Sequence, residues 1–347
     1  MRCPRCDNRQ KKNEGNLCRK CGHRFVLLPK QDPINDYQLK KIVERLSLKG
    51  QYNFTRNQLL MEVTRTLQRR ITPFWVKMIG AAVATGFAWV IYQSEGGLGG
   101  WSLALFAVGG WLGLSVIRSL KYRRGRSAPV SNDFQRAKKL IDRYRRYHAI
   151  TELADGTAFE SPAGTLLKDA FKGFAPEAVL VVQRKDLVDA LVLSRFHMEN
   201  KVAVVSTAGY PHKVFAALPK FVQASPKVPI LVAHDASQVS SKLVSQLLTD
   251  PQWAFAKDNL KDVGLMPACF ENTDLRLPWL DSRGRMILSS EHLKQYKAGS
   301  RLPIDSFRPR VLNGLLSTAV LAGGALLALD AIAAASSDSG SGGVDFG

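Results

Sequence analysis

Two uninterrupted apolar stretches, Phe74–Tyr92 and Trp101–Ile117, constrain this chain more than any other feature of its sequence. Lys77 is the one charge in the first, and the second has none. Crossing about 30 Å of hydrocarbon takes roughly 17–25 helical residues, so both are long enough, the second only just. Gln93-Ser-Glu-Gly-Gly-Leu-Gly-Gly100 makes a tight connection between them, and residues 74–117 read as a transmembrane helical hairpin. Arg65, Arg69 and Arg70 precede the pair; Arg118, Lys121, Arg123, Arg124 and Arg126 follow it; the connection carries only Glu95. The positive-inside rule then puts both outer flanks in the cytoplasm. The other way to shelter two such helices is to bury them as a pair in a protein core.

A third apolar stretch, Val311–Ala335, is rich in Ala, Leu and Gly, with Asp330 as its only charge and Arg308 and Arg310 just ahead of it. It predicts a C-terminal transmembrane helix over 311–335, followed by a disordered Ser/Gly-rich tail over 336–347. The alternative is an Ala-rich helix lying on a membrane or packed on the neighbouring domain. The expectation is therefore a multi-pass integral membrane protein with its N-terminus and main domain cytoplasmic.

The net charge of +20 calls for an anionic partner. Residues 118–150 concentrate that charge, and Arg136, Lys138, Lys139, Arg143, Arg145 and Arg146 alternate with Leu140, Ile141, Tyr144 and Tyr147 in the manner of an amphipathic helix. Arg118, Lys121, Arg123, Arg124, Arg126, Arg136, Lys138 and Lys139 are expected to meet an anionic surface. Lipid head groups, worth about 1 kcal/mol per cation, are one candidate and nucleic acid the other. Upstream, residues 34–71 predict two helices, one with Leu39, Ile42, Val43 and Leu46 on one face, the next opened by Thr55 with Gln58 three residues on, a capping-box spacing.

Four of the five cysteines fall in two knuckles, Cys3-Pro-Arg-Cys6 and Cys18-Arg-Lys-Cys21, with no apolar leader ahead of them. Paired CxxC motifs of this kind point to metal in a reducing compartment. Two short loops can close a thiolate tetrahedron at a Zn–S distance of about 2.3 Å, leaving no open position, so Cys3, Cys6, Cys18 and Cys21 are expected to hold structural Zn²⁺. Gly22 suits the tight turn after the second knuckle, and His23 reads as a bystander. Residues 1–28 resemble the zinc-ribbon family, whose members bind nucleic acid or protein surfaces.

From Glu177 the texture changes. Ala178–Val182, Lys201–Val205 and Ile230–Ala233 read as short buried strands, separated by helical patterns over Asp186–His197 and Pro211–Ala224 and followed by another over Ser237–Leu248. That alternation argues for a parallel sheet with helices on both faces over 151–305. After Asp250 the chain reads as irregular. The strand ends Val182-Gln183, Gly209-Tyr210-Pro211 and His234-Asp235-Ala236-Ser237 are similar to those of Toprim domains, closest to the topoisomerase VI A subunit and its relatives. Phe54–Val63 and Val263–Pro267 resemble further segments of that family. The resemblance implies acidic Mg²⁺ ligands where this chain has Gln183, Asp235 and Ser237, and a nucleophilic tyrosine where it has Leu60 and Met61; Asp235 alone keeps its charge. No GxGxxG follows the first strand, and no GxxxxGK[ST] or GxSxG occurs.

The sequence thus predicts a multi-domain chain: zinc ribbon, helical segment, transmembrane hairpin, basic helix, Toprim-like α/β domain and a last span. Its expected role is non-catalytic binding or scaffolding at the cytoplasmic face of a membrane, with a protein partner, anionic lipid or nucleic acid engaged. A divergent metal-dependent Toprim enzyme and an assembly subunit of a membrane complex are the alternatives.

Overall fold

The computed structural model describes residues 1–29, 31–69, 131–160, 174–270 and 276–322. Helix α1 (Asp36–Leu46) starts from Asn35, which exchanges side-chain-to-backbone hydrogen bonds with Gln38 and so satisfies two donors at the helix end. Its Leu39, Ile42 and Leu46 face inward at helical spacing. Strand β1 (Phe54–Thr55) leads into α2 (Arg56–Arg69). The Thr55 capping box is formed: Thr55 Oγ1 accepts from the Gln58 N–H at 3.3 Å, and Gln58 Oε1 accepts from the Thr55 N–H at 2.9 Å. Helix α3 (Ser131–Arg145) packs on α2, and β2 (Leu153–Ala154) runs parallel to β1. Leu39, Ile42, Phe54, Leu59, Val63, Phe134, Ala137 and Ile141 share one apolar core among these helices.

The α/β unit runs β3 (Ala178–Val182), α4 (Lys185–Leu193), α5 (Phe196–Glu199), β4 (Val202–Ser206), α6 (His212–Ala224), β5 (Ile230–Ala233), α7 (Leu243–Thr249) and β6 (Leu260–Asp262). The four strands are parallel, in the order β4-β3-β5-β6. β3 and β5 are buried at every position, which is why they read as continuous apolar runs. Leu180, Val182, Val204 and Leu231 pack on one face with Leu187 and Leu191 of α4. Val179, Val181, Val205 and Val232 pack on the other with Leu218 and Val222 of α6 and with Trp253. Because α4 covers one face and α6 the other, the winding reverses between β3 and β5. Sheets of this kind open a crevice beyond the carboxyl ends of the strands at that point.

Beyond β6 lie the antiparallel hairpin β7 (Leu277–Leu280) and β8 (Met286–Ser289), then α8 (His292–Lys297) and α9 (Pro309–Leu321). This region is ordered where the sequence reads as irregular. β6 is an edge strand of Leu-Lys-Asp and β7 contains Pro278, so neither shows the apolar pattern that marks a strand. Asp281 shapes the hairpin turn, its Oδ1 accepting from the N–H groups of Arg283 and Arg285 at 2.9 and 2.8 Å. Leu277 and Trp279 enter the sheet core, whereas Leu280 and Met286 enter the helical one.

Among the described residues, no helix is long and apolar enough to cross a membrane. This corrects the expectation of transmembrane helices, and with it the expected integral membrane partner and multi-pass, cytoplasm-facing location. The stretches that suggested the hairpin, 74–117, lie outside the described residues, as do Arg118, Lys121, Arg123, Arg124 and Arg126 and residues 323–347. For the last stretch the physical reason is visible. α9 has 13 residues, about 20 Å of helix, and its Leu312, Leu315, Leu316 and Ala319 are buried with Trp279 and Phe307 in the sheet core. The apolar face of α3 is likewise taken up by protein: Phe134, Leu140, Ile141 and Tyr144 pack against α1, α2 and β8 rather than lipid. Truncating a fully buried core leucine costs about 2–5 kcal/mol. Leu316→Ala should therefore lower the unfolding free energy measured in urea by a matching amount, whereas Leu321→Ala, at an 84% exposed position, should leave it nearly unchanged.

A candidate metal centre and a closed sheet end

The two N-terminal knuckles are built alike. Cys3 N–H donates to Asn8 O at 2.9 Å and Asp7 N–H to Cys3 O at 3.1 Å; Cys18 N–H donates to His23 O and Gly22 N–H to Cys18 O, both at 2.8 Å. Each turn closes on a left-handed residue, Asp7 at φ +61° and Gly22 at φ +70°. The Gln10 carboxamide ties the knuckles together, donating to Leu17 O at 2.9 Å and accepting from Arg19 N–H at 3.2 Å. The four Sγ atoms lie within 4.8 Å of one another, with Cys3–Cys21 at 3.5 Å and Cys6–Cys18 at 3.6 Å. Four thiolates at about 2.3 Å from a tetrahedral ion sit about 3.8 Å apart, so this group can hold a metal ion. Burial pushes the Cys3 thiol up to about 12. Cys18 is drawn down to about 6, because the N–H groups of Cys21 and Lys20 outweigh its own desolvation. A metal ion here therefore displaces protons as it binds.

His23 is not one of these four ligands; it joins the knuckle to α1. Its Nε2 lies 3.2 Å from Asp36 Oδ2, and the same fully buried carboxylate accepts from the Val26 and Leu27 N–H groups at 3.0 and 2.7 Å. His148, after α3, stacks on the His23 ring at 4.1 Å and donates to Arg24 O at 2.7 Å. His23, Asp36 and His148 form a second group whose ligand atoms lie within 4.8 Å. Both Asp36 oxygens are already occupied, so the arrangement acts as a latch between ribbon and helices. One metal ion per full-length chain is expected by elemental analysis, lost in Cys6→Ser. Hydrogen exchange should then quicken at the Val26 and Leu27 amides, which the latch protects; unchanged exchange would uncouple the knuckle from α1.

At the crevice between β3 and β5 the structure gathers Gln183, Asp235 and Ser237, and it closes them in. Gln183 Oε1 accepts from the Asp235 N–H at 3.1 Å and its Nε2 donates to Ser240 Oγ at 3.1 Å. Ser237 Oγ donates to Ser240 Oγ at 2.8 Å. Asp235 Oδ1 accepts from the Ile304 N–H at 2.8 Å, with Arg301 Nε 3.6 Å from its other oxygen. Residues 301–307 lie over the strand ends as a strap, pinned by reciprocal Ala236–Leu302 backbone bonds of 3.0 and 2.9 Å. From this strap Asp305, fully buried, pairs with Arg184 and accepts from Thr55 Oγ1 at 2.5 Å and Asn57 Nδ2 at 3.3 Å. Burial raises the Asp235 and Asp186 carboxyls above their ordinary values. Leu60 and Met61 are buried in the helical core. Sequence reasoning passed over Arg184 and Asp305 because 121 residues separate them and no spacing rule links them.

Next to the crevice, His234 is fully enclosed between two acceptors. Nδ1 donates to Asp235 O at 2.8 Å, and Nε2 faces the Asp262 oxygens at 3.0 and 3.2 Å. Its ring presses on Gly264, where a Cβ would lie 2.4 Å away. Desolvation works against the charge, but Asp262 and the Asp235 carbonyl win and hold His234 above its ordinary 6.5. A raised folded value stabilises fully below the unfolded one and less as pH rises through the folded one. The stability gap between the wild type and His234→Gln should thus be complete below about pH 6.5 and narrow above it in urea titrations.

Of the expected basic residues, Arg136, Lys138 and Lys139 are exposed on α3. In comparisons with known proteins, no family model matches this chain, and no curated protein or solved structure matches it either. The likeness to Toprim domains therefore has no family match behind it. What stands is a parallel-sheet α/β region and a four-cysteine group that can hold a metal.

Proposed function

We propose that this protein is a non-catalytic binding or scaffolding protein. In this reading the N-terminal cysteines hold zinc as a structural ion, as in zinc ribbons, since a full thiolate set leaves no position for a substrate or water. The α/β unit serves as a platform, a Toprim-like fold in which the chemistry has been lost. One observation carries the reading: the strap over residues 301–307 fills the crevice where such sheets bind ligands, with the Asp235 carboxylate bonded to Ile304 N–H and Asp305 turned onto Arg184. Mg²⁺ is usually held through one or two carboxylates together with water and phosphate. Here Gln183 and Ser237 are neutral, which leaves Asp235 as the one carboxylate among the three positions. Binding then falls to the ribbon and the basic surface of α3, toward a protein or nucleic-acid partner. Purified protein should neither relax nor cleave supercoiled plasmid with Mg²⁺ or Mn²⁺. Activity abolished by Asp235→Ala would move it to the enzymes.

A further inference from the structure

Arg136, Lys139, Arg143 and Arg146 recur every three or four residues along α3 and the turn after it. They therefore share one side of the helix over roughly 15 Å, at about 1.5 Å per residue. With Gln31, Asp32 and Pro33 of the segment entering α1, they line a groove of about 460 Å³. Its two acids are already engaged, Asp32 by Arg143 and Asp142 by Arg56. Arg136, Lys139 and Arg146 form no ion pair with a described residue. Like charges held within a Debye length of about 10 Å repel one another, and a polyanion laid along the groove would relieve that repulsion.

The residue that follows Arg146 adds a second feature. Tyr147, 51% exposed, follows Arg146, and the Arg24 guanidinium from the ribbon stacks over its ring at 4.4 Å. An aromatic ring beside a guanidinium is a surface on which nucleobases stack. A tract of acidic side chains would neutralise the cations equally well but has no flat base to place there. We propose that this groove binds the phosphate backbone of a single-stranded nucleic acid, with a base stacked at Tyr147. The inference rests on the reading of the protein as a binding protein and names its partner.

The test uses the full-length, metal-loaded chain and the fluorescence anisotropy of labelled oligothymidylate and oligouridylate at several salt concentrations. Arg136→Gln with Lys139→Gln removes two charges from the groove. Lys220→Gln with Lys227→Gln removes two exposed charges from α6 and the turn after it, neither of which lines the groove. All four residues are exposed, so circular dichroism should be unchanged in both variants. The groove variant should bind about tenfold more weakly and flatten the salt dependence by about 1.4 in log–log slope, at roughly 0.7 per phosphate contact, while the control shifts far less. Tyr147→Ala should weaken binding without changing that slope.

Equal weakening by both double variants would overturn the proposal, as would no binding at all. Tighter binding to duplex, equal competition by polyglutamate, or preference for phosphatidylserine vesicles would each overturn it in favour of another partner. Absent oligonucleotide binding together with absent plasmid cleavage would remove the groove and leave the non-catalytic reading standing. Plasmid cleavage would remove that reading, with the dependence of binding on Arg136 and Lys139 still measured.

Discussion

The described structure depends on a carboxylate with no exposed surface. Asp305 is reached by Thr55 and Asn57 from the start of α2 and by Arg184 from the end of β3. Removing one partner of a buried, hydrogen-bonded pair typically costs about 3–5 kcal/mol, because the other charge is left without compensation. The contact thus joins the helical unit, the central strand of the sheet and the strap at one point. It also puts the chain's own acid against Arg184, at the place where the winding of the sheet would otherwise leave room for an anionic ligand.

A second acid supports the same junction from the helical side. Glu62, buried in α2, accepts from Arg308 Nε and Nη2, each at 3.1 Å, and from Arg65 at 3.1 Å, with Arg45 at 3.4 Å. Its desolvation is outweighed by these arginines, Arg308 foremost, and its carboxyl stays below the ordinary range. Arg308 immediately precedes α9, so the helix that closes the sheet core is anchored at its first turn to α2. Asp305 and Arg308, three residues apart, bind the strap and the start of α9 to opposite ends of α2's first two turns. α9 consequently belongs to the protein interior although its composition resembles a membrane span.

Features that depend on local pattern were legible in the sequence. Both CxxC knuckles, the Thr55–Gln58 cap, and strands Ala178–Val182 and Ile230–Ala233 follow from spacing and burial alone. What escaped depends on distant partners. Nothing in local sequence pairs Asp305 with Arg184, or brings His148 onto His23 beside Asp36. Hydropathy also cannot tell a helix sheltered by lipid from one sheltered by Trp279 and Phe307, because both remove the same apolar surface from water. β6 and β7 were missed for a simpler reason: an edge strand and a strand containing proline lack the alternation by which strands are recognised.

The hairpin at 277–289 carries a consequence for how this chain can vary in length. Trp279 and Leu280 are neighbours in sequence yet belong to different cores, because successive side chains on a strand point to opposite faces. Inserting or deleting a single residue within β7 would send the indole toward the helices and an aliphatic side chain toward the sheet, damaging both interiors at once. Related chains should therefore place length differences in the turn from Asp281 to Arg285, where backbone groups are held by one aspartate side chain and no apolar core is disturbed.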